Sequence, residues 1–158
     1  MIDPNSGRRQ SVAIVTGGES GIGRAAALKI ASIGVPVAMT YLRDRNAAEW
    51  VLSQIEQAGG RGIAVQTDVS DEQAVEDLFS RAEETFGVVD RLVNSAGLNM
   101  SGVMLRDMAM SQFDRLMKAD LYGPFLTCRR MVRALEDAGR GGRIVNIAST
   151  AALRAQRT

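Results

Sequence analysis

The stretch VAIVTGGESGIGRAAAL, Val12 to Leu28, passes from a β-branched apolar run through four glycines into alanine-rich sequence. Short and apolar, Ser11–Thr16 predicts a buried strand, and Gly21–Ile33 predicts a helix. A helix N-terminus presents unpaired N–H groups and a partial positive charge. Glycine lets the backbone approach a phosphate there, because no Cβ stands in the way. Gly17, Gly21 and Gly23 therefore suit a dinucleotide pyrophosphate. Their spacing is G-x-x-x-G-x-G rather than G-x-G-x-x-G. A P-loop is excluded, since Arg24-Ala25 follows the glycines where Lys-Ser/Thr is required. The plain alternative is a glycine-rich tight turn with no ligand.

Beyond this stretch, strands and helices alternate. Val35–Tyr41 predicts a second strand, with Pro36 near its start where proline is tolerated. Asn46–Ala58 predicts a helix with Trp50, Ile55 and Ala58 near one face, stopped by Gly59-Gly60. Ile63–Gln66 is a third strand. A third helix is expected to start at Ser70 through the capping box Ser70-x-x-Gln73. Val75, Leu78, Ala82 and Phe86 give it an apolar stripe. Arg91–Asn94 is a fourth strand, followed by a long connection from Gly97 to about Met110. Ser111 is expected to cap a long fourth helix, interrupted near Gly123-Pro124. Gly139–Gly142 is a turn and Arg143–Ala148 a fifth strand. Such alternation implies βαβ units, right-handed crossovers and a parallel sheet. The fold class is α/β, doubly wound and Rossmann-like. Residues 1–10 read as a flexible tail and residues 11–158 as a dinucleotide-binding domain.

Composition narrows the function. The chain has 158 residues, 46% of them apolar and 23% charged, with a net charge of +1. This is an ordinary soluble balance, with no signal for a nucleic-acid or membrane surface. The absence of histidine excludes His-based triads and His-ligated metal sites. Cys128 is the single cysteine and reads as a small buried hydrophobe rather than a reactive thiol. No apolar run approaches the roughly 20 residues of a membrane span, and the N-terminus lacks a signal peptide's apolar core. A cytoplasmic setting is the expectation.

Three more segments end strands in small or polar residues: TDV at Thr67–Val69, NSAG at Asn94–Gly97 and IVNIAS at Ile144–Ser149. Open α/β sheets bind ligands at those strand ends. Together the segments resemble the short-chain dehydrogenase/reductase family. TGGESGIG resembles its TGxxxGIG loop, NSAG its NNAG, IVNIAS its IVNISS, and DLYGPF, Asp120–Phe125, its NLxGxF. The wording of several segments is similar to the glucose 1-dehydrogenase-like branch. The resemblance implies an NAD(P)-dependent oxidoreductase that interconverts an alcohol, such as a sugar or polyol, and a carbonyl by hydride transfer. It implies a small-molecule substrate and a homo-oligomer. Gly17, Ser20, Gly21, Ile22 and Gly23 would line the pyrophosphate and ribose. Asp68 and Val69 would meet the adenine. Asn94, Ala96 and Gly97 would wall the adenosine ribose and support the sheet. Ser149 would hydrogen-bond the substrate. For Asp68 the alternative is a loop carboxylate near the Ser70 cap.

Cofactor choice turns on the end of the second strand, where a carboxylate holds the ribose of NAD. Met39-Thr40-Tyr41-Leu42 offers none, and Arg43 and Arg45 follow closely. Arginine suits a phosphate, so NADP is favoured, with NAD open. Asp44 and Glu19 oppose a 2′-phosphate, and both arginines have an alternative reading as a solvated helix entry.

The sequence departs from the family in two ways. The family's proton-transferring tyrosine is followed four residues on by a lysine that lowers its pKa. Here Tyr41 precedes Arg45 and Tyr122 precedes Leu126 at that spacing. In the family the tyrosine lies roughly a dozen residues past the serine, so the chain is expected to be truncated after the fifth strand and inactive alone. Its alternatives are a non-catalytic dinucleotide-binding module, or subunit completed by a partner, and a remnant that binds nothing well. Asp120 replaces the family's asparagine, which helps place a water against the lysine; an ionised carboxylate cannot donate a hydrogen bond. Truncation would expose the fifth strand as an apolar edge and favour association. The methionines between Met100 and Met117 read as adaptable filler or as a flexible substrate region.

Overall fold

The computed structural model describes residues 10–99 and 102–149. The tail expected before Gln10 and the approach to the family tyrosine after Ser149 lie outside these residues, as do Met100 and Ser101 within the long connection. Five strands form one parallel sheet: β1 (Ala13–Thr16), β2 (Val37–Tyr41), β3 (Gly62–Gln66), β4 (Arg91–Asn94) and β5 (Arg143–Asn146). The helices are α1 (Gly21–Ser32), α2 (Arg45–Gln57), α3 (Glu72–Phe86), α4 (Met110–Met117) and α5 (Gly123–Asp137). A 3₁₀ turn covers Leu105–Asp107, and a π-helical turn, Lys118–Tyr122, joins α4 to α5.

Strand order is β3-β2-β1-β4-β5. β1 thus lies centrally, with Val15 in register with Met39 on one side and Val93 on the other. Both faces of β1 are buried, so its side chains feed two cores. Ala13 and Val15 join α1 and α2 through Ala27, Val51 and Ile55. Val12 and Ile14 join α3 and α5 through Leu78, Phe79 and Met131. This double burial is why the strands read as continuous apolar runs. The order in which successive strands are added reverses between β1 and β4, which opens a crevice at their C-terminal ends.

Local signals set most element ends, and two helix caps and one helix face differ from expectation. The cap of α3 is Asp71, not Ser70: its Oδ1 accepts from Gln73 N at 2.8 Å and Ala74 N at 3.1 Å. Ser70 is held in the preceding turn, where its N–H and hydroxyl both donate to Asp68 Oδ1. Ser111 lies inside α4; the N-cap is Ala109, whose N–H donates to Gln112 Oε1 at 2.9 Å. Trp50 is 51% exposed, while Ala48, Val51 and Ile55 are buried. Five residues separate Trp50 from Ile55, which puts them about 140° apart around a helix. The Trp50 ring instead lies 5.5 Å from the Arg24 guanidinium, an exposed cation–π contact. The interruption expected at Gly123-Pro124 is the π turn just before it.

Among the described residues no helix is long and apolar enough to cross a membrane.

Candidate functional site

A cleft of about 360 Å³ opens at the C-terminal edge of the sheet, above the point where β1 and β4 diverge. The glycine loop forms its floor, and each glycine there meets a different demand. Gly17 has φ +64°, and a Cβ on it would lie 2.9 Å from Ala96 Cα. A Cβ on Gly23 would lie 2.1 Å from Gly17 O, so α1 crosses the strand end only because that atom is missing. Gly21 has φ +52° at the first position of α1, with nothing within 4 Å of where its Cβ would be. Gly21 alone of the three leaves open space for a ligand to approach the backbone. The tight turn, the open approach and the close helix packing are the three duties of a dinucleotide loop. Gly17 and Gly23 thus serve the packing that shapes the loop, and Gly17 also lines the cleft.

Threonines hold this arrangement, and sequence reading passed over them. Thr40 Oγ1 accepts from Gly17 N at 3.0 Å, and Thr40 O accepts from Gly18 N at 2.9 Å. The loop is thereby fastened to the end of β2. Buried Thr16 accepts from Ser95 N and Ala96 N, both at 3.0 Å, fastening the turn after β4 to the end of β1. The available signal was a hydroxyl at the C-terminal end of each otherwise apolar strand.

Gly17, Ser20, Gly21, Ile22, Asp68, Val69, Ala96 and Gly97 all line the cleft. Ile22 is 61% exposed there, a large apolar side chain facing solvent at the helix N-terminus. Asp68 lines the cleft while its Oδ1 also closes the turn onto Ser70, at 2.9 Å from N and 2.7 Å from Oγ. The bonds to Ser70 are those of the loop-carboxylate reading of Asp68. Val69 is buried against Gly123, where a Cβ would lie 2.7 Å from Val69 Cγ2. The glycine of DLYGPF thus makes room for the cleft's own valine.

Other candidates lie elsewhere. Asn94 does not line the cleft. It is buried, donating to Asn146 Oδ1 at 2.9 Å and accepting from Thr127 Oγ1 at 2.8 Å, so it ties β4 to β5 and α5. Of its two expected roles, support of the sheet is the one its contacts serve. Asp120 sits in the π turn, and its Oδ1 accepts from Leu98 N at 2.8 Å. The carboxylate anchors the loop that follows Gly97, while neighbouring Ala119 lines the cleft. Ser149 follows β5 and is exposed; Ile147, nearer the strand, reaches the cleft wall. Cys128 is half-buried, and burial pushes its thiol pKa up, away from thiolate character.

The residues after β2 divide in function. Asp44 caps α2 by accepting from Ala47 N at 2.9 Å. Arg45 turns along the helix to Glu49 at 2.7 Å, which holds its guanidinium above its ordinary pKa. Arg45 is therefore a solvated helix-entry residue. Arg43 is exposed and its side chain makes no ion pair among the described residues, and it lies beside Leu42 of the cleft wall. Glu19 lines the cleft from the glycine loop, and its Oε2 is buried without a hydrogen-bond partner among the described residues.

A family model described as short chain dehydrogenase matches residues 11–157. L-rhamnose 1-dehydrogenase (NAD(P)(+)) from a Sphingomonas species is 38% identical over 89% of this chain and 55% of its own length. Glucose 1-dehydrogenase 2 of Bacillus subtilis is 32% identical over 87% of this chain and 53% of its own. A solved metagenomic short-chain oxidoreductase in complex with NADP superposes with TM-score 0.82 at 35% identity, over 89% of this chain and 63% of that one. The chain spans about half the length of the curated relatives it matches.

Proposed function

The chain belongs to the short-chain dehydrogenase family, and on that premise we propose that it forms the dinucleotide-binding part of an NAD(P)-dependent oxidoreductase acting on an alcohol or sugar. The observation that carries this reading is the open backbone at Gly21, first in α1, on the floor of the cleft. The N–H groups and partial positive charge of a helix start suit a pyrophosphate there. Ser20 and Ile22 flank the same floor, and Asp68 and Val69 supply a polar and an apolar contact for a base. Arg43 supports use of NADP, because an unpaired guanidinium beside the β2 end can take a 2′-phosphate. Two sugar dehydrogenases among the relatives support a polyol or sugar substrate.

A bound nicotinamide supplies the hydride donor or acceptor. The chain's own residues bind and orient: Ser149 is the candidate hydrogen-bonding group for the substrate oxygen, and Asp120 fixes the loop after Gly97 through Leu98. Moving the alcohol proton requires a base, and no tyrosine in these 158 residues has a lysine four positions on. The 158-residue chain therefore binds cofactor without turnover.

Thermal unfolding with increasing NADPH or NADH tests the binding. A ligand at 100 times Kd that binds only the folded state adds about 2.7 kcal/mol of stability. The expected result is a saturable rise, with no NAD(P)-linked oxidation of sugars or simple alcohols by the same sample. No rise with either nucleotide would remove the proposal, and turnover would remove its second half. The exposed β5 edge favours a second reading, a module completed by another chain. Turnover that appears only on mixing with a partner chain would support it.

A further inference from the structure

We propose that Ser11 is a phosphorylation site for a protein kinase of the arginine-directed class, and that its phosphate unlatches the edge of the sheet opposite the cleft. The stretch Arg8-Arg9-Gln10-Ser11 places arginine two and three residues before a serine. No other serine or threonine of the chain has arginine at both places. Kinases select substrates by such charge patterns, holding the two guanidinium groups with acidic side chains while the hydroxyl enters the active site. Ser11 lies at the rim of the fold. It precedes β1, is half-buried, and makes no backbone–backbone hydrogen bond among the described residues. Its Oγ donates to Asp90 Oδ2 at 3.0 Å and accepts a long bond from Arg91 at 3.4 Å. Opening these two bonds frees the hydroxyl and leaves the sheet intact: Val12 O still accepts from Asp90 N and Arg91 N, and Ala13 N still donates to Pro36 O.

Asp90 is the hub of this edge. Its Oδ1 accepts from Val12 N at 3.0 Å, and its Oδ2 accepts from Ser11 Oγ and from Arg140, the latter at 3.1 Å. One carboxylate thus ties together the entrances of β1 and β4 and the turn that leads into β5. The Asp90 and Arg140 side chains are each 14% exposed. Transfer from ATP breaks the bond between its γ-phosphorus and the bridging oxygen and forms an O–P bond at Ser11 Oγ. ADP leaves, and the hydroxyl proton is given up. Asp90 Oδ2 then loses the donor that held it, and a phosphate of nearly two negative charges stands beside the carboxylate where water is partly excluded. Arg91 and Arg140 are the guanidinium groups beside that phosphate. Arg140 turns its charge to the phosphate and lets the β5 turn go from Asp90.

The test incubates the 158-residue chain with ATP and the catalytic subunit of a cyclic-AMP-dependent kinase, then reads intact mass, peptide map and thermal unfolding. The expected result is one phosphoryl group on Ser11 and none on Ser11→Ala. Labelling slows by about tenfold or more when Arg8→Gln and Arg9→Gln are combined. The phosphorylated chain unfolds about 2–4 °C below the unmodified one. Ser11→Asp, which needs no kinase, lowers Tm in the same direction, and the drop shrinks in an Asp90→Asn background where the repelling charge is gone. No phosphoryl gain, or a gain that persists in Ser11→Ala, overturns the site. Phosphate on Ser11 with Tm unchanged within about 1 °C overturns the latch. Nucleotide binding in the cleft enters neither outcome.

Discussion

Gly21 and Gly23 lie two residues apart and fail differently when given a side chain. Alanine at Gly21 meets no atom within 4 Å but must hold φ +52°. Left-handed backbone costs an L-residue about 1–2 kcal/mol, so Gly21→Ala folds with a modest loss of stability. Its new methyl stands in the cleft, so nucleotide affinity falls by about tenfold or more. Alanine at Gly23 would place Cβ 2.1 Å from Gly17 O, a backbone atom that cannot turn aside. Overpacking of this kind costs about 3 kcal/mol or more, and Gly23→Ala is expected to lose stability first. Urea unfolding and nucleotide titration of both variants separate the effects. Equal stability of Gly23→Ala and wild type would contradict the packing argument. The sequence shows that glycine is needed at these positions. It does not show which neighbour makes it so, because Ala96 and Thr40 are brought to the loop by the sheet. Arg45 illustrates the same limit: its place just after the second strand suggested a phosphate ligand, and Glu49 one helical turn on takes its charge.

At the level of elements, the strands were legible because parallel strands buried on both faces carry apolar side chains at every position. Helix starts were less so. Asp71 and Ser70 are adjacent and both able to cap, and the choice depends on Asp68, which claims Ser70 for its own turn. The packing of α3 on α5 was not legible at all, since its polar seam joins residues about fifty positions apart. Arg130 pairs with Glu76 at 2.6 Å and Glu83 at 2.7 Å, and its guanidinium lies 5.1 Å from the Phe79 ring centre. Arg129 pairs with Glu72 in the same seam. Removing Arg130 strands two partly buried carboxylates. Breaking a fully buried pair costs roughly 3–5 kcal/mol. Here Glu76 is 37% exposed, so Arg130→Met is expected to cost about 2 kcal/mol. In that background Glu83→Gln should cost less than it does alone, because its partner is already gone. Chemical denaturation of the two single variants and the double variant measures this coupling.

For the molecule as a whole, β5 is the exposed consequence of the strand order. Among the described residues it pairs only with β4, and Ile144, Val145 and Ile147 are 38%, 50% and 39% exposed. An apolar strand with one free edge is a template for association. The 158-residue chain is therefore expected to self-associate at micromolar concentration. Val145→Lys, a charge on the edge strand, should shift it toward monomer in sedimentation velocity. A monodisperse wild-type monomer would count against this.

The link from Thr16 to the amides of Ser95 and Ala96 spans some eighty positions, and that distance sets a schedule. The ribosome delivers about 5–20 residues per second, so β1 emerges roughly 4–16 s before the segment that will flank it. Through that interval β1 can pair with β2, and β2 with β3, both of which arrive sooner, while the other edge of β1 waits bare. The central strand of the finished sheet is thus a temporary edge in the nascent one. The chain passes through a stage in which the future centre of its fold is the surface most in need of a chaperone's cover.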